Sequence, residues 1–402
     1  MMRAMRILHV IPSISPELGG PSVAIINIAR GLMALGAHVE IATTDDGFGR
    51  MNSSKNSGAQ IQHQELNIHY FKQTGHPLKQ FLYSNEFKKW LPENIRGYDV
   101  IHTHYAFSFM PNYAEWCAKK HQIPYITRPL GTLLPWARKQ HALKKAVYFN
   151  LIQRSLLLNA AGIHCTSENE ANNINELIRK KSAFVTPHGL AIPETLPRAS
   201  ELLRERLQIH KDSKIILYLG RLVAKKRPDY LIQEFTRLKG ENIYLVMAGS
   251  GAADYEGYLR GLVSKTPAYA KVRFVGHVEG EDKNLFLQGS DIFALPSYSE
   301  NFGISVAEAM AVARPVIVSR GVDVAGQINE ANAGIVIDGE NGECTAAIKK
   351  LLDNPHASEE MSQNAILLMK NKFTPEACAK KLIDKYQWVL ERANTSHGGH
   401  NE

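Results

Sequence analysis

Only four cysteines occur in the 402 residues, Cys117, Cys165, Cys344 and Cys378, and no two form a C-x-x-C pair. Scattered in this way, with no ligand cluster beside them, they exclude a disulfide framework or a zinc site and read as reduced thiols. No uninterrupted apolar run approaches the roughly 18 residues that a membrane-spanning helix needs. The opening MMRAMRILHVIPSI sets basic residues before an apolar run, but that run is short, breaks at Pro12 and lacks a small-residue cleavage signal. A first β-strand is therefore expected there rather than a leader. Acid is missing from one long stretch: between Trp116 and Ser167 there is no Asp or Glu, while Lys119, Lys120, Arg128, Arg138, Lys139, Lys144, Lys145 and Arg154 all fall there. This stretch is either a contact face for an anionic partner or a solvated helix surface. The expectation is a cytoplasmic protein with at most a peripheral attachment at the inner face of a membrane.

What is present points to folded domains. Hydrophobic residues make up 44% of the chain, with ordinary charge density and a formal balance of +8. A length of 402 residues suggests two or three domains. The net charge suits phosphates, nucleic acid or lipid headgroups equally well. Short β-branched runs alternate with segments of helical period, the signature of parallel strands joined by crossover helices. RILHVIP, HVEIATT, DVIHTH, PYITR, GIHCTS and AFVTP supply one set of strands, with a helix from about Pro21 to Leu35. After the proline-bearing HGLAIPETLPRAS the pattern restarts with KIILYLGRL, then IYLVMAGSG, VRFVGHV, DIFALPS, PVIVSR and AGIVID. The class is α/β, with two Rossmann-like domains over residues 1–190 and 200–375 whose parallel sheets face across a cleft. A helix over 376–392 is expected to pack back on the first domain, and 393–402, polar and glycine-rich, to form a disordered tail.

The stretch SYSENFGISVAEAM, Ser297 to Met310, carries the most chemistry. A strand ends before it and a helix begins near Ile304, so Asn301, Phe302, Gly303 and Ile304 present backbone N–H groups at the helix's positive end. Gly303 allows close approach of a ligand. Glu300 is expected at the same mouth and Glu308 about a turn into the helix, each able to accept two hydrogen bonds from a vicinal diol. Taken singly, Glu300 reads as an acid favouring the helix dipole and Glu308 as a surface residue. In IHTHYAF, His102 and His104 share one strand face and either line an acceptor side, relay protons or are structural. Two histidines with no third ligand do not make a metal site. GSGAAD has Asp254 where a dinucleotide fingerprint needs its third glycine. Asp45 and Asp46 in TTDDG read as a turn.

The paired glutamates, the Phe-Gly between them and the following AEAMAVARPVIVS resemble the donor-site motif of retaining glycosyltransferases of family 4, which have the GT-B fold. GGPSVAIINIARGLMALGAHVEIAT is similar to that family's opening, and GRLVAKKRPDYLIQEF to the start of its second domain, in the family's order and spacing. The resemblance implies that Arg221 and Lys226 bind the pyrophosphate and act with Glu300 in catalysis. Arg offers bidentate donors and Lys a compact charge, doing electrostatically what a metal ion does elsewhere. It further implies that Gly19 and Gly20 line the phosphates from the first domain, that Glu308 holds ribose and Glu300 the transferred sugar, and that Val278 lies by the nucleobase. Many members carry a histidine where Leu130 stands, so its role is either absent or taken by Arg128, His102 or His104.

The implied activity is metal-independent retaining transfer of a hexosyl unit from a nucleotide-diphosphate sugar, UDP before GDP, to a hydroxyl of a glycan or lipid-linked acceptor. No cofactor, metal or nucleic acid is expected, and the basic stretch is expected to meet an anionic membrane or the lipid-linked acceptor. The rival readings are a nucleotide-sugar epimerase or phosphorylase on the same fold, and a non-catalytic glycan- or nucleotide-binding subunit.

Overall fold

The computed structural model describes residues 3–15, 20–45, 60–63, 66–74, 82–238, 242–264, 266 and 271–398. The chain divides into two compact units. Unit 1 takes residues up to Gly189 together with the segment from Pro375 onward, and unit 2 runs from Leu190 to Thr374.

Unit 1 is built on β1 (Arg6–Val10), β2 (His38–Thr44), β3 (Gln60–His63), β4 (Leu66–Phe71), β5 (Val100–His104), β6 (Tyr125–Arg128), β7 (Gly162–Cys165) and β8 (Ala183–Val185). They form one 8-stranded sheet in the order β3-β4-β2-β1-β5-β6-β7-β8. Its strands pair in parallel except at the edge, where β3 runs antiparallel to β4. This hairpin is absent from the strands expected above. In β4 buried Leu66 and Ile68 alternate with half-buried Asn67 and His69, the period of a strand with one covered face. Central strands are covered on both faces: Ile7 packs into one apolar cluster and Leu8 into the other.

The helix Gly20–Ala34 buries Ala24, Ile25, Ile28, Ala29 and Leu32, a stripe at helical spacing. Against it lies the helix Pro375–Gly398, whose Ala379, Leu382, Tyr386 and Val389 join the same cluster. The two backbones cross closely at Gly31, where a Cβ would stand 2.8 Å from the Cβ of Ala379. The terminal helix is longer than the 376–392 expected. Residues 393–398, expected in a disordered tail, continue it, and the Thr395 hydroxyl donates back to the Arg392 carbonyl at 3.0 Å. Residues 399–402 lie outside the described residues.

Unit 2 carries β9 (Lys214–Leu219), β10 (Ile243–Ala248), β11 (Val272–Gly276), β12 (Ile292–Leu295), β13 (Val316–Ser319) and β14 (Gly334–Ile337). All pair in parallel, in the order β11-β10-β9-β12-β13-β14. The order reverses direction at β9 and β12, the strands whose following loops carry Arg221 and Glu300. Such a switch point, beyond the strands' carboxyl ends, is where open α/β sheets bind ligands.

Candidate active site

After β9 the chain makes a tight loop whose Lys226 side chain folds back across Gly220. A Cβ there would meet the lysine Nζ at 3.2 Å and its Cδ at 3.3 Å, so the glycine leaves room for the lysine to lie flat. The loop is fastened from behind: the Arg227 guanidinium lies over the rings of Tyr230 and Tyr298, at 4.1 and 4.4 Å from their centroids, and donates to the Gly339 carbonyl at 2.9 Å. The Tyr298 amide donates to the Lys225 carbonyl at 2.9 Å, tying this loop to the one after β12.

That second loop presents Glu300. Its backbone N–H donates to the Gly321 carbonyl at 2.8 Å and its carbonyl accepts from the Asp323 amide at 3.1 Å, so the residue is held through its main chain while its side chain stays available. The Glu300 carboxylate meets Lys226 Nζ at 3.1 Å, with both side chains about 15% exposed. Arg221 is exposed at the start of the loop, and its carbonyl accepts from the Tyr218 hydroxyl at 2.9 Å. Lys225 is pushed below its ordinary value by burial first, with the charges of Lys226 and Arg221 adding to that and Glu300 and Asp323 opposing it. Three cations, Arg221, Lys225 and Lys226, thus gather around two carboxylates, Glu300 and Asp323, a cationic excess that favours an anion.

Gly303 follows at φ +81°, a left-handed conformation, and a Cβ on it would stand 2.8 Å from Val322 Cγ1. Glycine is needed there for both reasons. The helix Ile304–Ala311 starts from it. The Val306 and Ala307 amides turn back to the Gly303 carbonyl, which leaves Ile304 and Ser305 as the amides of the first turn with no acceptor inside the helix. Phe302 points into the core, edge-on to Phe373. Glu308 is paired with Lys283 at 2.8 Å, with side chains 18% and 31% exposed respectively. Lys283, from the helix Gly280–Gly289 just after buried Val278, was not among the residues expected at the site. The carboxylate that raised the question of a diol ligand therefore has a cation at hand. The structure brings together Arg221, Lys226 and Glu300, and sets Glu308 beside Lys283 on neighbouring helices.

In unit 1, Gly20 opens its helix, while Gly19 lies outside the described residues, as does Asp46. His102, His104 and Arg128 are not on an open surface: all are essentially fully buried, so the acceptor-facing position expected of them has no exposed atom to rest on. They belong to a polar cluster inside the sheet's carboxyl end. β1 and β5 pair with His9 opposite His102, and His9 Nδ1 lies 2.9 Å from His104 Nε2. His102 Nδ1 meets the Tyr386 hydroxyl at 2.6 Å, and His102 Nε2 lies 3.3 Å from His164 Nδ1. Arg128 Nη2 reaches His188 Nδ1 at 2.9 Å. Burial holds His102, His104, His164 and His188 well below the usual imidazole range and lowers His9 to about 3, the Arg128 charge adding to each. Arg128 itself is lowered to about 10 by burial, against the pull of Glu170.

The view of two histidines without a third partner is corrected here. His9, His102 and His104 bring ligand nitrogens within 4.8 Å of one another. A divalent ion among them would sit beside the Arg128 guanidinium with no carboxylate in the trio, an electrostatically opposed arrangement. On the other face of the sheet Glu115 is fully buried between the Thr103 and Thr127 hydroxyls, at 2.6 and 2.8 Å, and burial raises it to about 7. Leu130, at φ +54°, begins a turn whose Gly131 amide donates to Glu170.

Comparison with known proteins agrees with this architecture. The model of the glycosyl transferase 4-like domain matches residues 19–189, and that of the glycosyl transferases group 1 matches residues 199–367. The chain belongs to these glycosyltransferases and has their GT-B fold. It is 25% identical over 421 residues to the D-inositol 3-phosphate glycosyltransferase of Corynebacterium diphtheriae, across 96% of this chain and 94% of that one. It is 31% identical over 190 residues to an uncharacterised glycosyltransferase of Methanocaldococcus jannaschii, a match spanning about half of each (47% and 48%). Among solved structures, Anabaena HepE in complex with UDP and glucose superposes with a TM-score of 0.77 at 18% identity, over 96% of this chain and 100% of that one. The epimerase, phosphorylase and binding-subunit readings are not favoured by these relatives. Among the described residues no helix is long and apolar enough to cross a membrane.

Proposed function

We propose that the chain transfers a hexosyl unit, with retention at the anomeric carbon and without a metal ion, from a nucleotide-diphosphate sugar to a hydroxyl of a glycan or glycolipid. UDP is the preferred nucleotide and GDP the second. The observation that carries this reading is the contact of Lys226 with Glu300, 3.1 Å apart beside Gly303 and the open amides of its helix. A cation that now holds a carboxylate can turn to phosphate when a diphosphate enters, freeing Glu300 for sugar hydroxyls. Arg221 and Lys226 take the negative charge that develops as the bond from the sugar's C1 to the phosphate oxygen breaks. The acceptor oxygen forms the new bond to C1 on the same face, and its proton passes to the departing phosphate oxygen, so no enzyme base is required. Glu308 exchanges Lys283 for the ribose diol, Val278 lies by the base, and the amides of Asn301, Phe302, Gly303 and Ile304 face sugar or phosphate. The UDP and glucose bound by HepE support the choice of donor. We place the reaction in the cytoplasm.

A panel of nucleotide sugars tested by thermal shift identifies the donor, since a ligand at a hundred times its Kd adds about 2.7 kcal/mol of stability. The double variant Arg221→Ala/Lys226→Ala is expected to lose the stabilisation by bare UDP as well. Undiminished UDP binding in that variant overturns the phosphate assignment. An inverted anomeric configuration in the product, or activity abolished by chelation and restored by a divalent ion, overturns the mechanism.

A further inference from the structure

The helical segment after Leu134 in unit 1 leaves its apolar residues uncovered. Leu143 is 79% exposed, Val147 52%, Leu151 75% and Ile152 42%, and Trp136 beside them is 41% exposed. No other span of this length among the described residues exposes so many large apolar side chains. Leu143, Val147 and Leu151 stand four residues apart along a helix that runs through Ala142–Tyr148, a π-helical turn at Phe149–Gln153, and Arg154–Asn159. Steps of four drift around an α-helix, and the wider π turn offsets that drift, so the three side chains form a single stripe. The opposite side is anchored: Tyr148 meets Asn112 at 2.6 Å, and Gln153, Leu156 and Leu157 are buried.

The stripe is flanked by cations. Arg138, Lys139, Lys144 and Arg154 are exposed, and none has an ion-pair partner among the described residues. Lys145 differs, since its Nζ donates to the Ala137 carbonyl at 2.6 Å and lies over the Phe107 ring. With no acid between Trp116 and Ser167, nothing within the segment neutralises the four. A second copy is a poor occupant, because a two-fold contact places the patch on itself and sets cation against cation. An anionic bilayer complements both parts, with headgroups for the cations and acyl chains for the stripe.

We infer that this helical face is a docking surface for an anionic lipid membrane, with the Leu143, Val147 and Leu151 stripe inserted and Arg138, Lys139, Lys144 and Arg154 at headgroup level. It names the partner that the transferase reading leaves open, and it rests on residues remote in sequence from the proposed donor loops.

The test is sedimentation of the full chain with vesicles of phosphatidylcholine alone or mixed with phosphatidylglycerol. Binding is expected to the mixed vesicles and to be weaker by about tenfold or more on the zwitterionic ones, since each basic residue near an anionic surface adds measurably to affinity. It should also fall with salt as the surface potential is screened. Leu143→Ser/Leu151→Ser should weaken binding about tenfold while keeping its salt dependence, because the apolar contribution scales with buried area. Lys139→Glu/Lys144→Glu should abolish the preference for anionic vesicles. Both variants should keep the thermal stabilisation by UDP, which separates failure of this surface from failure of the donor assignment. Absence of the wild type from the mixed-vesicle pellet overturns the inference. Wild-type binding by both variants overturns it too, as does a concentration-dependent dimer in the absence of lipid that Leu143→Ser/Leu151→Ser dissolves.

Discussion

The buried imidazoles of unit 1 make its stability fall steeply in mild acid. His9, His102, His104, His164 and His188 are neutral in the fold because burial and the Arg128 charge hold them far below their ordinary value of 6.5. In the unfolded chain each takes a proton as the pH drops through that value. Stability contributed by neutral burial is therefore complete above about pH 6.5 and is lost below it, at about 1.4 kcal/mol per pH unit for each proton. Glu115 works in the opposite sense: it keeps a proton in the fold up to about 7 but loses it at 4.5 when unfolded, so it offsets one of the five between those values. Four net protons correspond to roughly 5 kcal/mol per pH unit, against a typical domain stability of about 5–15 kcal/mol. Unit 1 should unfold within about one to three units below pH 6.5. All four tryptophans, Trp90, Trp116, Trp136 and Trp388, lie in unit 1, so their fluorescence reports that unit alone. Urea titrations followed by this signal from pH 7.5 downward give the slope directly. His104→Gln should reduce it by one proton. A slope of less than two protons, or an NMR titration showing any of these imidazoles protonating near 6.5 in the native state, refutes the reasoning.

Gly303→Ala should lower the stability of unit 2 by about 1–2 kcal/mol for the left-handed backbone alone, with more for the 2.8 Å approach to Val322, and should reduce UDP-sugar affinity; calorimetry with and without ligand separates the two. Glu115→Gln, an amide in place of a protonated acid, should leave stability near pH 5 within about 1 kcal/mol of wild type. It should also remove the decline that Glu115 contributes as pH rises from 4.5 to about 7, read from the same urea curves. Lys283→Ala should change stability by no more than about 1 kcal/mol, as for other partly exposed pairs, while tightening or preserving donor affinity measured by calorimetry; a large loss of affinity would mean that Lys283 itself binds the donor.

The parallel strands were legible because burial on both faces writes them as continuous apolar runs such as IILYL and DIFAL. The β3–β4 hairpin was not, since a strand with one covered face alternates instead, as Leu66, Asn67, Ile68 and His69 do. Glu300 could be placed at the helix mouth from its loop and neighbours, and Lys226 was set with it through the resemblance to family 4. The Lys283 partner of Glu308 could not, because it comes from another helix whose approach is set by tertiary packing. His9 gave only the signal of one polar residue within RILHVIP. Its meaning depends on the register that sets it against His102 across the sheet, and on Tyr386 arriving from the far end of the chain.

That last contact bears on the order of synthesis. Leu382, Tyr386 and Val389 fill the apolar cluster beneath β1, β2 and β4, yet they are translated after the whole of unit 2. On the ribosome unit 2, which is continuous from Leu190 to Thr374, can reach its native state while nascent unit 1 still lacks one wall. Until that last helix is made, the sheet face that Leu382, Tyr386 and Val389 cover stays open, and His102 lacks its Tyr386 partner.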